Sequence, residues 1–216
     1  QGSGKSTFCE LLSFWLQANH KLKTAVLSID DLYLTRSERH QLSQTVHPLC
    51  AFRGVPGTHD VGLGHRVMDE LAGAAPDGKT RIPRFNKTLD DRRPPSEWEP
   101  ICGQTDVLLF EGWCVGAKPL GPWTGPINQR EAEDDPDGQW VNWSNRELKQ
   151  KYGKLFDRLD GLVMLKVPSM ETVRKGRWKQ EQRAWARLSE SDTVHPGLMT
   201  ESEVHHYVAL FERLTR

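Results

Sequence analysis

QGSGKST at 1–7 runs without a break into FCELLSFWLQA at 8–18, and this junction of a glycine-rich turn with an amphipathic helix decides the fold. Phe8, Leu11, Leu12, Trp15 and Leu16 recur at the i, i+3, i+4, i+7 and i+8 spacing of one helical face. Gly2, Ser3, Gly4, Lys5, Ser6 and Thr7 carry the second half of the pattern G-x-x-x-x-G-K-S/T, in which glycines let backbone N–H groups close around phosphate oxygens. A helix opening at Lys5 adds the positive end of its dipole. Lys5 is then expected to reach the outer phosphates of a bound nucleotide, and the Ser6 hydroxyl to bind Mg2+. The first glycine of the pattern, and the strand leading to it, are expected ahead of Gln1.

Working outward, TAVLSID at 24–30 is short, apolar and partly β-branched, which predicts a buried strand. DVLLFEG at 106–112 predicts a second strand, ending in the carboxylate of Glu111, and GLVMLKV at 161–167 a third, stopped by Pro168. Asp60 is placed to cap a helix over 61–75, and a short extended piece follows at 81–85. Ser144 with Glu147 spells a capping box for a helix to about residue 157, and Thr200 with Glu203 spells another. From 116 to 138 the chain is rich in Gly, Pro and acid without periodicity, so an excursion on the surface is expected to about residue 143. Strands alternating with helices indicate an α/β fold with a mostly parallel sheet flanked by helices, in one domain over 1–216.

Among 216 residues, 29 Lys and Arg balance 29 Asp and Glu for a formal charge of +0. No general field exists to hold nucleic acid or an anionic membrane, and any anion site must be local. Eight Trp and seven Phe supply core material in a chain only 37% hydrophobic. The longest apolar run covers 207–211, against roughly 20 residues for a bilayer span. Cys9, Cys50, Cys102 and Cys114 form no C-x-x-C pair; a reducing cytoplasm is expected rather than a disulfide framework or a zinc knuckle. With no initiator Met and no signal peptide, the chain is expected to lack its true start.

Several segments together resemble the D-glycerate 3-kinase family of P-loop kinases, related to pantothenate kinase, uridine kinase and phosphoribulokinase. They are QGSGKST at 1–7, SIDDLYLT at 28–35, RGVPGTHD at 53–60, IPRFNKTLDDRRP at 82–94 and FEGW at 110–113, joined by YGKLFDRLD at 152–160 and FERLTR at 211–216. Asn86 departs from the pattern, where an aspartate is more usual. The resemblance implies the P-loop nucleoside triphosphate hydrolase fold. It also implies an ATP- and Mg2+-dependent phosphotransfer to a small-molecule hydroxyl, with D-glycerate as first acceptor. Another alcohol such as pantothenate or a nucleoside is the alternative, as is a nucleotide-binding regulatory module that phosphorylates no acceptor. The partner is a small molecule, without nucleic acid or membrane, and oligomeric state is left open.

Such a kinase must place an alcohol in line with the γ-phosphorus, take its proton and neutralise the phosphoryl charge. Asp30 is assigned as general base because the carboxyl tips of strands are where ligands bind in open α/β sheets. By resemblance it also touches Mg2+ through water. Asp31 competes for the role, and both acids capping a turn is a third reading. Glu111 ends a strand too apolar to leave it unpaired, so a metal or an ion pair is its partner. Arg53, Arg84, Lys87 and Arg92 fall in segments the family uses near its substrate, and a guanidinium fork suits a carboxylate. His59 and Asp60 are candidates for substrate hydroxyls, with capping as the alternative for Asp60. Trp113 is either a wall of the acceptor site or core, and Tyr33 with Phe85 offers stacking. The basic helix expected over 169–187 reads as a lid that lends transition-state charge through Arg177 or Arg183, or else as a solvated face.

Overall fold

The two apolar runs at 24–30 and 106–112 pair as parallel strands and set the position of everything else. The computed structural model describes residues 2–186 and 198–215. In chain order its elements are α1 (Lys5–His20), β1 (Thr24–Ser28), α2 (Arg36–Thr45), α3 (Val61–Gly73), β2 (Lys79–Ile82), β3 (Phe85–Asn86), β4 (Asp91–Arg92), β5 (Glu99–Cys102) and β6 (Val107–Glu111). They continue with α4 (Gln129–Asp134), α5 (Gln139–Glu147), α6 (Gly153–Phe156), α7 (Met170–Trp185), α8 (Glu201–Ala209) and α9 (Glu212–Thr215). β1 and β6 run in parallel with Thr24 opposite Val107 and Ser28 opposite Glu111. Both carboxyl ends therefore reach the same sheet edge, and the N-terminus of α1 meets them there.

The α/β character comes from packing on this pair. Ala25 and Leu27 of β1 are buried against Leu63, Val67 and Leu71 of α3, with Leu32 and Ile82 closing the cluster; each buried leucine contributes about 1.5–3 kcal/mol. Asp60 Oδ1 accepts the Leu63 N–H at 2.8 Å, so α3 starts where its cap predicts. Ile29, Met68, Leu148, Tyr152 and Leu155 form a second cluster. Among the described residues the remaining strands pair antiparallel, β2 with β5 and β3 with β4, so one parallel pair stands where a mostly parallel sheet is expected.

Three sequence expectations are revised. Residues 161–167 are not a strand; Leu162, Val163 and Met164 are 57%, 73% and 79% exposed, because no described strand lies beside them to pair with. The apolar stripe of α1 is likewise left open at Phe8, Leu11 and Trp15. The Ser144 box is not used. Helix α5 begins at Gln139, where both carboxylate oxygens of Asp135 accept the Trp140 and Val141 N–H groups at 2.9 Å, and Ser144 Oγ donates instead to Pro56 O at 2.8 Å. The stretch from 116 to 143 stays at the surface through residue 130 and then turns inward, with Glu131 of α4 buried and bound by Arg213. The Thr200–Glu203 box is present as spelled. All four cysteines are free, and among the described residues no helix is long and apolar enough to cross a membrane.

Candidate active site

Gly2 and Gly4 both adopt left-handed backbone, at φ 70° and 84°, which glycine tolerates without a Cβ penalty. Gly4 is the N-cap of α1 and, among the described residues, no side-chain cap bonds the first-turn amides, so that helix end is open to an anion. Within the first turn, Ser6 Oγ donates to Glu111 Oε1 at 2.7 Å, tying the loop to the tip of β6. Lys5, Ser6 and Glu111 line a cavity of about 230 Å³ together with Asp30, Tyr33, Arg53, Lys87, Trp113 and Arg177. Ser3 and Thr7 belong to the loop and first turn but do not face this cavity.

The two adjacent aspartates point in different directions. A single 3-10 turn, Ile29–Leu32, follows β1, with Ser28 Oγ accepting the Asp30 N–H. Asp30 opens into the cavity, where its Oδ2 accepts a bond from Lys87 Nζ at 2.6 Å. Burial alone would raise its pKa, but the Lys87 ammonium outweighs that and holds the carboxyl well below the usual range. Asp31 turns inward. It accepts the Phe85 N–H at 3.0 Å and Arg84 Nη1 at 3.2 Å, and burial pushes its pKa up. It braces the β3–β4 hairpin.

The basic segments divide in the same way. Arg53 lines the cavity, is paired with Asp90, and has its guanidinium 5.7 Å from the Phe85 ring centre. Asp90 also takes Arg39, which is fully buried, so one carboxylate anchors two arginines. Arg84 is committed to Asp31 and Glu99, and Arg92 to Asp60 and Glu38; neither lines the cavity. Asp60 caps α3 and pairs with Arg92, also outside it. His59 is 5% exposed, with Nδ1 2.8 Å from Tyr152 Oη, and burial lowers its pKa to about 3. The structure gives it no surface on the cavity for a substrate hydroxyl. Trp113 faces the cavity edge-on to Phe211, and its Nε1 donates to Gly54 O at 2.9 Å.

Helix α7 covers the loop. A Cβ on Gly2 would lie 2.8 Å from the backbone carbon of Gly176, so the two glycines meet backbone to backbone. Arg177 then enters the cavity, paired with buried Glu181 and 5.8 Å from the Tyr207 ring. Arg183 is exposed on the helix away from it, and Arg187, like Gln1, lies outside the described residues. The sequence reading missed Glu181, Tyr207 and Asp90. Tyr207 Oη donates to Arg53 O at 2.7 Å, and Arg53, Tyr207 and Leu198 separate this cavity from a second of about 900 Å³ over α2 and α8. Glu181 and Asp90 are acids inside basic stretches, the one local signal that they hold the cations in place.

No family model matches the chain. It is 31% identical over 224 residues to an uncharacterized kinase, mug58, of Schizosaccharomyces pombe, covering 96% of this chain and 76% of that one. It is 30% identical over 218 residues to a chloroplastic D-glycerate 3-kinase of Arabidopsis thaliana, covering 98% of this chain but only 44% of that enzyme's length. A solved D-glycerate 3-kinase from Cryptococcus neoformans superposes with a TM-score of 0.75 at 26% identity, over 97% of this chain and 73% of that one. The fold, the cavity and these relatives define the class: a kinase, that is, a phosphotransferase acting on an alcohol group. Within that class the chain belongs to the D-glycerate 3-kinase family.

Proposed function

We propose that the protein transfers the γ-phosphate of ATP to a hydroxyl of a small hydroxy acid, D-glycerate first among them. Backbone amides of residues 2–7 and Lys5 hold the triphosphate, and Arg177 lends charge as the phosphoryl group moves. Asp30 accepts the acceptor's hydroxyl proton. The acceptor oxygen bonds to phosphorus while the bond to the β–γ bridging oxygen breaks, its electron pair leaving with ADP. Ser6 and Glu111 are the residues that would hold Mg2+. Their hard oxygen donors, 2.7 Å apart, suit an ion that takes its other positions from water and phosphate; when bound it neutralises phosphate charge. Arg53 faces the acceptor's carboxylate.

The observation that carries the reading is that Ser6, Glu111 and Asp30 open into one cavity beside Lys5. An acid is favoured over a nucleoside because Tyr33, one of the two rings proposed for stacking, already stacks on His59 at 4.4 Å and meets the other, Phe85, edge-on. The P-loop fold is supported by the groove of about 170 Å³ where Phe8, Leu12, Leu108, Leu162 and Leu165 face one another: a further strand between β6 and 161–167 would fill it. Four free thiols favour a reducing compartment, the cytoplasm included. ADP release with D-glycerate, pantothenate and uridine is the deciding assay. Turnover is expected with glycerate and is expected to vanish in Asp30→Asn while ATP still binds; wild-type-like turnover in that variant rejects the base assignment.

A further inference from the structure

Lys87 sits where the proposed reaction leaves no room for it. Its ammonium bonds Asp30 Oδ2 at 2.6 Å, so one oxygen of the carboxylate that is to receive a proton is already engaged. The two arginines on the cavity wall are each held by a carboxylate: Arg177 is 13% exposed beside buried Glu181, and Arg53 9% beside Asp90. Lys87 differs, with a side chain 56% exposed. Its backbone is nevertheless fixed. It lies in the turn between β3 and β4, where Asn86 Oδ1 accepts the Thr88 and Leu89 N–H groups at 3.0 and 3.1 Å. The far end of the turn is pinned where Asp90, at φ 55°, binds Arg39 and Arg53. A firm backbone thus carries a long, flexible cation whose own side chain is half-exposed, so an anion entering the cavity can reach the ammonium that Asp30 holds.

We propose that Lys87 is a catalytic residue that makes the acceptor's own carboxylate the condition for freeing Asp30. Its ammonium closes Asp30 in the absence of an acid acceptor and moves onto that carboxylate when one arrives. This rests on Asp30 being the base. The hydroxyl proton then passes to Asp30 as the new O–P bond forms and ADP departs with the electrons of the broken one. Two consequences follow from the geometry. Water, which brings no negative charge, finds the base blocked, so ATP is protected from hydrolysis. A neutral alcohol of the same size fails for the same reason, which confines the acceptor to short acids whose hydroxyl and carboxylate reach Asp30 and Lys87 at once.

The test measures ADP release by the full-length protein with D-glycerate, with glycerol and with neither, for wild type, K87M, K87Q, K87R and D30N. In K87M and K87Q, acceptor-free hydrolysis is expected to rise at least fivefold, and the glycerate-over-glycerol preference in kcat/KM to fall at least tenfold. K87R, which keeps a cation, is expected to stay within about threefold of wild type on both. If either change is missing from both neutral variants, the proposal is overturned, whatever happens to kcat with glycerate. D30N with wild-type turnover would instead remove the base reading beneath it. A wild type inert toward glycerate would remove only the acceptor, since the hydrolysis arm needs none and still decides on Lys87.

Discussion

His59 offers a measurement in which sign and size both come from the structure. Gly57 N–H donates to Tyr152 Oη at 2.7 Å, and the same oxygen lies 2.8 Å from His59 Nδ1. A phenol that accepts from one side has its own hydrogen for the other, so Nδ1 is the acceptor and the imidazole is neutral, with its proton on Nε2. Burial lowers the pKa from 6.5 to about 3, against an opposing pull from Asp30. A base with a depressed folded pKa stabilises the fold only while neutral. That contribution is complete above pH 6.5 and is lost as pH falls toward 3. At 1.36 kcal/mol per unit, acidification from pH 7 to pH 5 should cost about 2 kcal/mol. The expected fall in Tm is about 4–8 °C for a chain of this size. Urea unfolding at pH 7, 6 and 5 would read it directly. His59→Phe should begin about 1–3 kcal/mol less stable, because the Tyr152 hydroxyl loses its partner, yet it should lack this part of the pH slope. Wild type and variant falling in parallel would refute the buried neutral imidazole.

Two further outcomes are expected. Arg53→Ala should raise the acceptor KM about ten- to hundredfold, the loss of one charge-assisted hydrogen bond, with a far smaller change for ATP; equal changes in both would count against an acceptor role. Arg177→Ala should lower kcat about a hundredfold with little effect on KM, as removal of a preorganised charge does, whereas Arg183→Ala should stay within about twofold. A matching loss in the two variants would show that the helix acts through its overall charge.

What the sequence made readable was what its own neighbours determine. The glycines at 2 and 4, the apolar runs of β1 and β6 and the Asp60 cap each need only a few adjacent residues, and each lies where the pattern puts it. Thr35 with Glu38 spells a capping box that opens α2 and could have been read the same way. Strand formation at 161–167 depends on a partner rather than on composition, so its apolar run was insufficient. The Ser144–Glu147 spacing was a sound pattern that lost to Asp135, a better-placed cap several residues upstream.

Charge pairing lies beyond local reading for a related reason. Asp30 and Asp31 are chemically the same and adjacent, and what separates them is a backbone N–H at Phe85, 54 residues away, that claims Asp31 and leaves Asp30 to the cavity. Arg53, Arg84, Lys87 and Arg92 are alike in sequence terms, yet each goes to whichever carboxylate the folded chain brings within reach. A buried guanidinium without such a partner is too costly to keep, so the acids choose which cations face the cavity. Asp90 shows this most plainly. It takes a left-handed conformation that aspartate tolerates better than most residues, reaches Arg39 and Arg53 together, and thereby holds one arginine at the cavity wall and the other behind it. Under the proposed function, the phosphate chemistry would be written in a run of seven residues, while acceptor recognition would be distributed over the carboxylates that hold its cations.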